Sequence, residues 1–154
     1  MKAERATKHD IDELVELRIA YLTEDDGPLD ANVVERIEHG LPDYYRRHLG
    51  KDIFAYVIRE DGRIASCALL LVVEKPMSPA FITGRTGTVL NVYTRPESRR
   101  KGYARWLMES LLSDAREMDL SVVELKATED GYPLYLSVGF KDDESKYHLM
   151  KWRP

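Results

Sequence analysis

Five cationic side chains gather in one short segment between a predicted strand and a predicted helix. The segment contains one carboxylate, Glu97, whereas the whole chain has a formal net charge of −4. The cations are Arg95, Arg99, Arg100, Lys101 and Arg105. Cations just before a helix add to the attraction that its free backbone N–H groups and its dipole exert on an anion. This pattern favours a phosphate-binding loop.

Small residues in the same segment leave room for an anion to approach the backbone. Gly102 has no side chain, and Ala104 carries only a methyl group. A run of charges in isolation more often marks a solvated surface. The spacing Arg-x-x-Gly-x-Ala between a strand and a helix favours binding instead. We therefore infer a pyrophosphate as the ligand.

Two motifs, in this order, resemble those of the GNAT N-acyltransferase superfamily. Residues 99–104, Arg-Arg-Lys-Gly-Tyr-Ala, are similar to its Gln/Arg-x-x-Gly-x-Gly/Ala signature for acyl-coenzyme A. Residues 133–140, Pro-Leu-Tyr-Leu-Ser-Val-Gly-Phe, are similar to its Leu-Tyr-x-x-x-Gly-Phe element. The first motif is neither a Walker A loop nor a dinucleotide fingerprint, because it lacks Gly-Lys-Ser/Thr and further glycines. The resemblance covers the last half of the chain, and in the first half only the element order agrees.

The resemblance implies an α/β fold with a mixed sheet and helices on both faces. Its two central strands, residues 88–94 and 121–127, would splay apart around acetyl-coenzyme A (acetyl-CoA). The pantetheine arm would pair with the backbone of Val92, Tyr93 and Thr94, whose N–H groups would also stabilise an oxyanion. The pyrophosphate would lie on the backbone of Arg99, Arg100, Lys101, Gly102, Tyr103 and Ala104.

Tyr135 is the catalytic residue that the resemblance implies, as the general acid that protonates the departing thiolate. The alternative is an ordinary packed tyrosine with a hydrogen-bonded hydroxyl. Two positions depart from the family pattern. Thr128 stands where many relatives have asparagine, and Ser137 stands where many have lysine or arginine.

The general base is less clearly marked than the general acid. Asn91 is expected to face the substrate, but an amide can only orient a water or an amine. Glu74 and Glu124 are the candidate bases, with a solvated strand glutamate as the alternative for both. The acidic residues 24–26 could attract a cationic acceptor or could simply be solvated.

The expected function is transfer of an acetyl group from acetyl-CoA to a primary amine of a small molecule or peptide, by one domain over residues 1–154. The alternative is a non-catalytic acyl-CoA-binding module, which would keep the phosphate loop without needing Tyr135. A nucleic-acid partner is disfavoured, because the chain is acidic and its clustered cations occupy one loop. Dimers are common in the superfamily, so a homodimer stays open.

The predicted element order is β-α-α-β-β-β-α-β-α-β. Strands are predicted over residues 2–7, 53–59, 63–74, 88–94, 121–127 and 147–152. The first helix should begin at Asp10, with Glu13 completing a capping box, and end at an acidic loop. A second helical region, residues 30–49, should break near Pro42. Apolar periodicity predicts a helix over residues 104–115, and a short helix should cover residues 133–138.

The composition is that of a globular protein, with 44% hydrophobic and 32% charged residues in 154. A single cysteine, Cys67, excludes an internal disulfide, and four histidines without ligand spacing predict no metal site. The longest apolar stretch, residues 64–73, is too short to span a bilayer. The first residues lack the apolar core of a signal peptide, so we expect a cytoplasmic protein with no membrane partner.

Overall fold

The fold is a mixed five-stranded sheet with helices on both faces, which confirms the expected α/β class. The computed structural model describes residues 2–154. The strands are β1 (Glu4–Arg5), β2 (Ile53–Glu60), β3 (Arg63–Glu74), β4 (Arg85–Thr94) and β5 (Val122–Glu124). The helices are α1 (Ile11–Asp26), α2 (Ala31–His48), α3 (Tyr103–Glu117) and α4 (Tyr132–Ser137). Of the helices in residues 2–154, none is both long and apolar enough to cross a membrane.

The strands lie side by side in chain order. Each neighbouring pair is antiparallel except β4 and β5, which are parallel and joined through α3. The hairpin between β2 and β3 closes at Asp61 and Gly62, whose φ angles are 50° and 76°. Two consecutive positive φ angles are what a type I′ turn requires. The predicted hairpin is therefore confirmed.

The strand β4 is irregular near its middle. Asn91 has φ 54°, and the register against β3 shifts between Cys67 and Leu69, so that two residues of β4 oppose one of β3. Such a bulge bends a strand and increases its twist. On its other side β4 pairs with β5 only from Thr86 to Thr88. Beyond Thr88 β4 continues without a strand partner on that side, because β5 ends at Glu124 rather than extending to residue 127 as predicted.

Alternating side chains of the sheet divide the core into two halves. Val57 belongs to the half that contains side chains of α1 and α2, whereas its neighbour Ile58 belongs to the half that contains those of α3. The buried side chains of α3 recur at helical spacing, at Leu107, Met108 and Leu111. Their packing against the sheet fixes the position of the helix and so of its N-terminus.

The first helix starts where it was predicted, since α1 begins at Ile11 with Asp10 in the N-cap position, but the predicted capping box of Asp10 and Glu13 is wrong. The capping box is formed by Thr7 and Asp10, whose carboxylate accepts a hydrogen bond from the Thr7 N–H at 2.7 Å. Glu13 instead accepts from the Ile64 N–H at 2.9 Å, which ties α1 to β3. At its other end α1 continues to Asp26, so residues 24–26 are helical.

The predicted break in the second helix is also wrong, because α2 continues through Pro42. Proline removes the hydrogen bond to the carbonyl four residues earlier, which is costly in an isolated helix. Tyr45, one turn beyond Pro42, is fully buried in the core. Tertiary packing therefore outweighs the local preference.

The predicted last strand is wrong as well. Residues 147–152 lie outside the sheet and form no regular element. Strand-forming residues need a hydrogen-bonding neighbour, and none of the described residues pairs with this segment. β4 begins three residues before its predicted start, whereas β1 and β5 are shorter than predicted.

We expect Leu107→Ala to lower the free energy of unfolding by about 2–5 kcal/mol, the usual cost of emptying a buried leucine site. Urea unfolding followed by circular dichroism measures this. Ile82→Ala is the control, because Ile82 is 64% exposed and should lose less than about 0.5 kcal/mol. Equal losses in both variants would contradict the packing of α3 on the sheet.

Candidate active site

A cavity of about 490 Å³ opens beside the second half of β4, beyond the point where its pairing with β5 ends. Five parts of the chain line it: the end of α1, the second half of β4, the loop between β4 and α3, the start of α3 and the segment around α4. The lining residues are Tyr21, Glu24, Asp25, Val92, Tyr93, Thr94, Ser98, Arg99, Arg100, Gly102, Tyr103, Ala104, Arg105, Thr128, Asp130, Gly131, Leu134 and Tyr135. We call this space the central cavity.

The central cavity brings together most of the residues expected to bind acetyl-CoA. The lining includes the three strand residues Val92, Tyr93 and Thr94 and most of the predicted phosphate loop. The exception is Lys101, whose ammonium group bonds to Glu60 at 2.8 Å. Within residues 2–154, no group of three or more His, Cys, Asp or Glu side chains is arranged to hold a metal ion.

The N-terminus of α3 opens into the central cavity. Gly102 occupies the N-cap position with φ 81°, and a Cβ atom there would meet no other atom within 4 Å. The first hydrogen bond within the helix runs from the Trp106 N–H to the Gly102 carbonyl. Backbone N–H groups before Trp106 therefore have no helical acceptor and can bind an anion.

Most cations of the loop already have carboxylate partners. Those partnerships are Arg95 with Glu13 and Glu16, Arg99 with Glu24, Lys101 with Glu60, and Arg105 with Glu109. Arg95 is buried and also donates to the Ile64 carbonyl at 2.7 Å, so it holds the fold together. Among the described residues, Arg100 is the one cation of the five without a salt bridge.

Glu60, at the end of β2, holds the predicted phosphate loop in place through three hydrogen bonds. Its carboxylate accepts from the Lys101 ammonium at 2.8 Å, from the Tyr103 hydroxyl at 2.5 Å and from the Ser98 hydroxyl at 2.9 Å. These three hydrogen bonds, led by that of Lys101, lower the pKa of Glu60 to about 2. The carboxylate is therefore ionised at neutral pH and holds the loop in place without a ligand.

Tyr135 reaches the central cavity from α4. A Cβ atom on Gly131 would lie 2.8 Å from the Tyr135 ring, so only glycine leaves room for the ring there. Phe140 packs edge-on against the other part of the ring, with centroids 6.0 Å apart. Burial first, and the nearby Tyr21 second, raise the pKa of Tyr135 to about 12. The phenol is consequently protonated at neutral pH.

Asn91 does not line the central cavity. It is buried at the bulge of β4, where its side-chain oxygen accepts from Arg18 at 3.3 Å and its amide group lies 3.5 Å from the Cys67 sulfur. Burial raises the pKa of the Cys67 thiol to about 12, so this cysteine is a packed, unreactive group. The Asn91 side chain thus stabilises the bulge through its contacts with Arg18 and Cys67.

The two candidate bases on strands are not brought into the central cavity. Glu74 lies at the opposite end of the sheet, paired with Arg85 at 3.6 Å where β4 begins. Glu124 lies on β5 opposite Thr88 and lines a separate groove. Thr128 and Ser137 depart from the family pattern. Thr128 accepts a local hydrogen bond from the Gly131 N–H, whereas Ser137 donates to the Leu134 carbonyl and accepts from Arg105 of α3.

Tyr21 and Asp130 line the central cavity although no sequence motif indicated them, and Glu24 and Asp25 lie in α1 and not in the predicted loop. Tyr21, Glu24 and Asp25 share one side of α1 because they are three and four positions apart. That spacing could have indicated a common face. It could not have indicated that the face meets the end of β4.

Solved structures with the same fold include enzymes of acetyl transfer. A predicted acetyltransferase from Clostridium acetobutylicum, crystallised with acetyl-CoA, is 27% identical, with 97% of this chain and 95% of that chain covered and a TM-score of 0.82. A GCN5-related N-acetyltransferase from Ralstonia eutropha JMP134 is 24% identical, with 97% of each chain covered and a TM-score of 0.81. The fold also matches a ribosomal-protein-alanine N-acetyltransferase from Brucella melitensis biovar Abortus 2308 (24% identical, 98% of this chain and 100% of that chain covered, TM-score 0.68).

No curated protein matches the chain. The family model described as "Acetyltransferase (GNAT) family" matches residues 12–140. The matched range contains both sequence motifs, the separated strands and every lining residue of the central cavity. This chain therefore belongs to the GNAT acetyltransferase family.

Proposed function

We propose that the protein is an N-acetyltransferase that uses acetyl-CoA to acetylate a primary amine of a small molecule or peptide. One observation carries the proposal: the free side of β4, the N-terminus of α3 and Tyr135 all meet in the central cavity. The pantetheine arm of acetyl-CoA can pair with a strand edge, and its pyrophosphate requires an anion site. The departing thiolate requires a proton donor. The central cavity offers each of them.

The residues present fit acetyl-CoA. The backbone of Val92, Tyr93 and Thr94 has no β5 partner, because β5 pairs no further than Thr88. The start of α3 has free N–H groups, and no side chain stands over Gly102. The similarity to an acetyltransferase crystallised with acetyl-CoA supports the same donor here.

The chain's own groups would act on the acetyl thioester that acetyl-CoA supplies. The β4 N–H groups would stabilise the negative charge that develops on the carbonyl oxygen when the amine attacks. Tyr135 would donate its phenolic proton to the departing sulfur as the bond between carbonyl carbon and sulfur breaks. A phenol with a pKa of about 12 is a weaker acid than a thiol, so we expect its contribution to be modest.

The acceptor is proposed to be an amine that arrives as a cation. Three carboxylates line the central cavity, those of Glu24, Asp25 and Asp130. Asp25 and Asp130 would attract an ammonium group and could take up its proton, whereas the Glu24 carboxylate is already paired with Arg99. An aliphatic amine with a pKa near 10.4 is neutral in only about one molecule in a few thousand at pH 7. Loss of the ammonium proton therefore limits the rate unless a carboxylate or water accepts that proton.

We expect acetyl-CoA to raise the melting temperature by about 5–10 °C when its concentration is about 100 times its dissociation constant. Differential scanning fluorimetry measures the shift. Pantetheine, which lacks the pyrophosphate, should produce a much smaller shift at the same concentration. Equal shifts would contradict a pyrophosphate site at α3. Binding without release of thiol from any amine would instead indicate the non-catalytic binding module.

Arg100→Gln should raise the dissociation constant for acetyl-CoA by about tenfold, because it removes a charge that has no partner within the described residues. The matched variant is Lys101→Gln, which removes the same charge one position later. Since Lys101 already bonds to Glu60, its loss should change the constant by less than about threefold. Isothermal titration calorimetry measures both. A larger effect at Lys101 than at Arg100 would show that Lys101 turns toward the ligand.

Tyr135→Phe should lower kcat by about 10²-fold or less while leaving acetyl-CoA binding unchanged, because the lost hydroxyl acts only in the transition state. Its pKa is raised, so the acid form persists as pH rises until the pKa of about 12 is approached. The wild-type rate should therefore show no decline from this group between pH 7 and about pH 10. Steady-state kinetics over that range tests both points. Unchanged kcat in the variant would leave Tyr135 with a packing role.

A further inference from the structure

Arg18, which reaches β4 from α1, is a cation without an anionic partner. Among residues 2–154 it is the one arginine that is not exposed and yet forms no salt bridge. The other arginines that are not exposed all pair with carboxylates: Arg59, Arg85 and Arg95. Within the same residues its side chain makes one hydrogen bond, from Nη1 to the Asn91 side-chain oxygen at 3.3 Å. A guanidinium has five N–H groups, so most of those of Arg18 stay available.

Three tyrosine hydroxyls lie near this guanidinium. Burial raises the pKa of Tyr21, Tyr44 and Tyr45, and the positive charge of Arg18 acts against that rise in all three. In the described part of the chain, no other cation acts on them and none of these hydroxyls makes a hydrogen bond. Tyr45 is 1% exposed. Since no buried side-chain nitrogen or oxygen lacks a partner there, the hydroxyls and the remaining Arg18 N–H groups reach open space.

A guanidinium beside protonated phenols forms a site for an anion. The raised pKa values keep the three phenols protonated at neutral pH, so each can donate a hydrogen bond. Two parallel N–H groups of an arginine match the two oxygens of a carboxylate. One positive charge balances one carboxylate, whereas a phosphate dianion requires further cations. The cluster therefore favours a carboxylate.

Arg18 lies at the reacting end of the proposed acetyl-CoA site. Its partner Asn91 comes directly before Val92 in β4. In the proposed function, the pantetheine arm pairs with residues 92–94 and the pyrophosphate lies beyond them at α3. The thioester is at the opposite end of that arm and so lies toward the bulge at Asn91. Arg18 can therefore contact an acceptor that approaches the thioester.

Tyr21 connects this cluster to the central cavity. It lines the cavity and follows Arg18 by one helical turn, so the two side chains share one side of α1. Tyr21 also adds to the raised pKa of Tyr135, after burial, so these two phenols are near each other. The free guanidinium and the proposed proton donor thus lie on either side of Tyr21.

We propose that Arg18 and the hydroxyls of Tyr44 and Tyr45 bind a carboxylate of the acceptor, so that the preferred acceptor is an amine that carries a carboxylate, such as a free amino acid. This inference rests on the proposed acetyl transfer and narrows its acceptor. The neutral amine forms the bond to the acetyl carbon and loses one proton, while the bond to sulfur breaks and the sulfur gains one. The bound carboxylate is unchanged.

Paired acceptors test the carboxylate in the wild-type protein. The probes are the standard α-amino acids and their carboxamides, with thiol release from acetyl-CoA as the readout. For the best amino acid, kcat/KM should exceed that of its carboxamide by at least about tenfold, because the carboxamide lacks the charge that Arg18 binds. Phosphoethanolamine and ethanolamine test a phosphate in the same way. A preference for carboxamides, or for phosphoethanolamine over every amino acid, would overturn the proposal.

Arg18→Gln should lower the ratio of the acid and carboxamide kcat/KM values by about 10–100-fold, mainly through the KM of the acid. The matched control is Arg46→Gln, which removes an exposed arginine of α2 and should keep the wild-type ratio. Tyr45→Phe keeps the buried ring and should lower the ratio by about three- to tenfold. It therefore tests the subsite even if Arg18→Gln does not fold. An unchanged ratio in either folded variant would contradict the carboxylate subsite.

Failure of this inference is distinguishable from failure of acetyl transfer. Thiol release that is equally fast with amino acids, carboxamides and ethanolamine would remove the subsite and leave the transferase. If none of these amines releases thiol, the acetyl-transfer proposal fails, and the inference fails with it.

Discussion

The short ladder between β4 and β5 is the constraint on which the site depends. Three residue pairs join the strands, and beyond Thr88 the backbone of β4 has no neighbour on that side. The bulge at Asn91 bends β4 within this unpaired stretch, and Arg18 and Cys67 hold the Asn91 side chain in place. A longer ladder would close the sheet and fill the central cavity. The backbone groups left free by the separation are therefore a property of the fold.

The electrostatics of the phosphate loop are those of a prearranged site with little net charge. Glu60 and Glu24 neutralise Lys101 and Arg99, so the loop keeps its shape before any ligand arrives. In the proposed function, attraction for a pyrophosphate would then come chiefly from the backbone N–H groups of α3 and from Arg100. The Arg99–Glu24 pair also joins the loop to α1. In the proposed reaction, this ion pair would connect the region that binds the donor to the helix that faces the acceptor.

Features that depend on neighbours in sequence could be predicted, whereas those that depend on distant partners could not. The β2–β3 hairpin and α3 follow from Asp61-Gly62 and from apolar periodicity, and both are confirmed. The motifs likewise placed Tyr135 and the loop on the right elements. Glu60, however, lies 41 positions before Lys101, so no local pattern could show that this lysine is already bonded. The helix break predicted at Pro42 is wrong for the same reason. The helix continues because Tyr45, one turn later, packs in the core.

The position of Tyr135 depends on packing around a helix too short to be stable alone. α4 has six residues, and an isolated helix of that length does not form in water. Gly131 and Phe140 both pack against the Tyr135 ring, which also borders the groove beside β5. Burial is the first cause of the raised pKa of Tyr135, so any group that covered the groove beside β5 would be expected to raise this pKa further. The surface beside β5 is therefore coupled to the candidate active site through the ring that lines both.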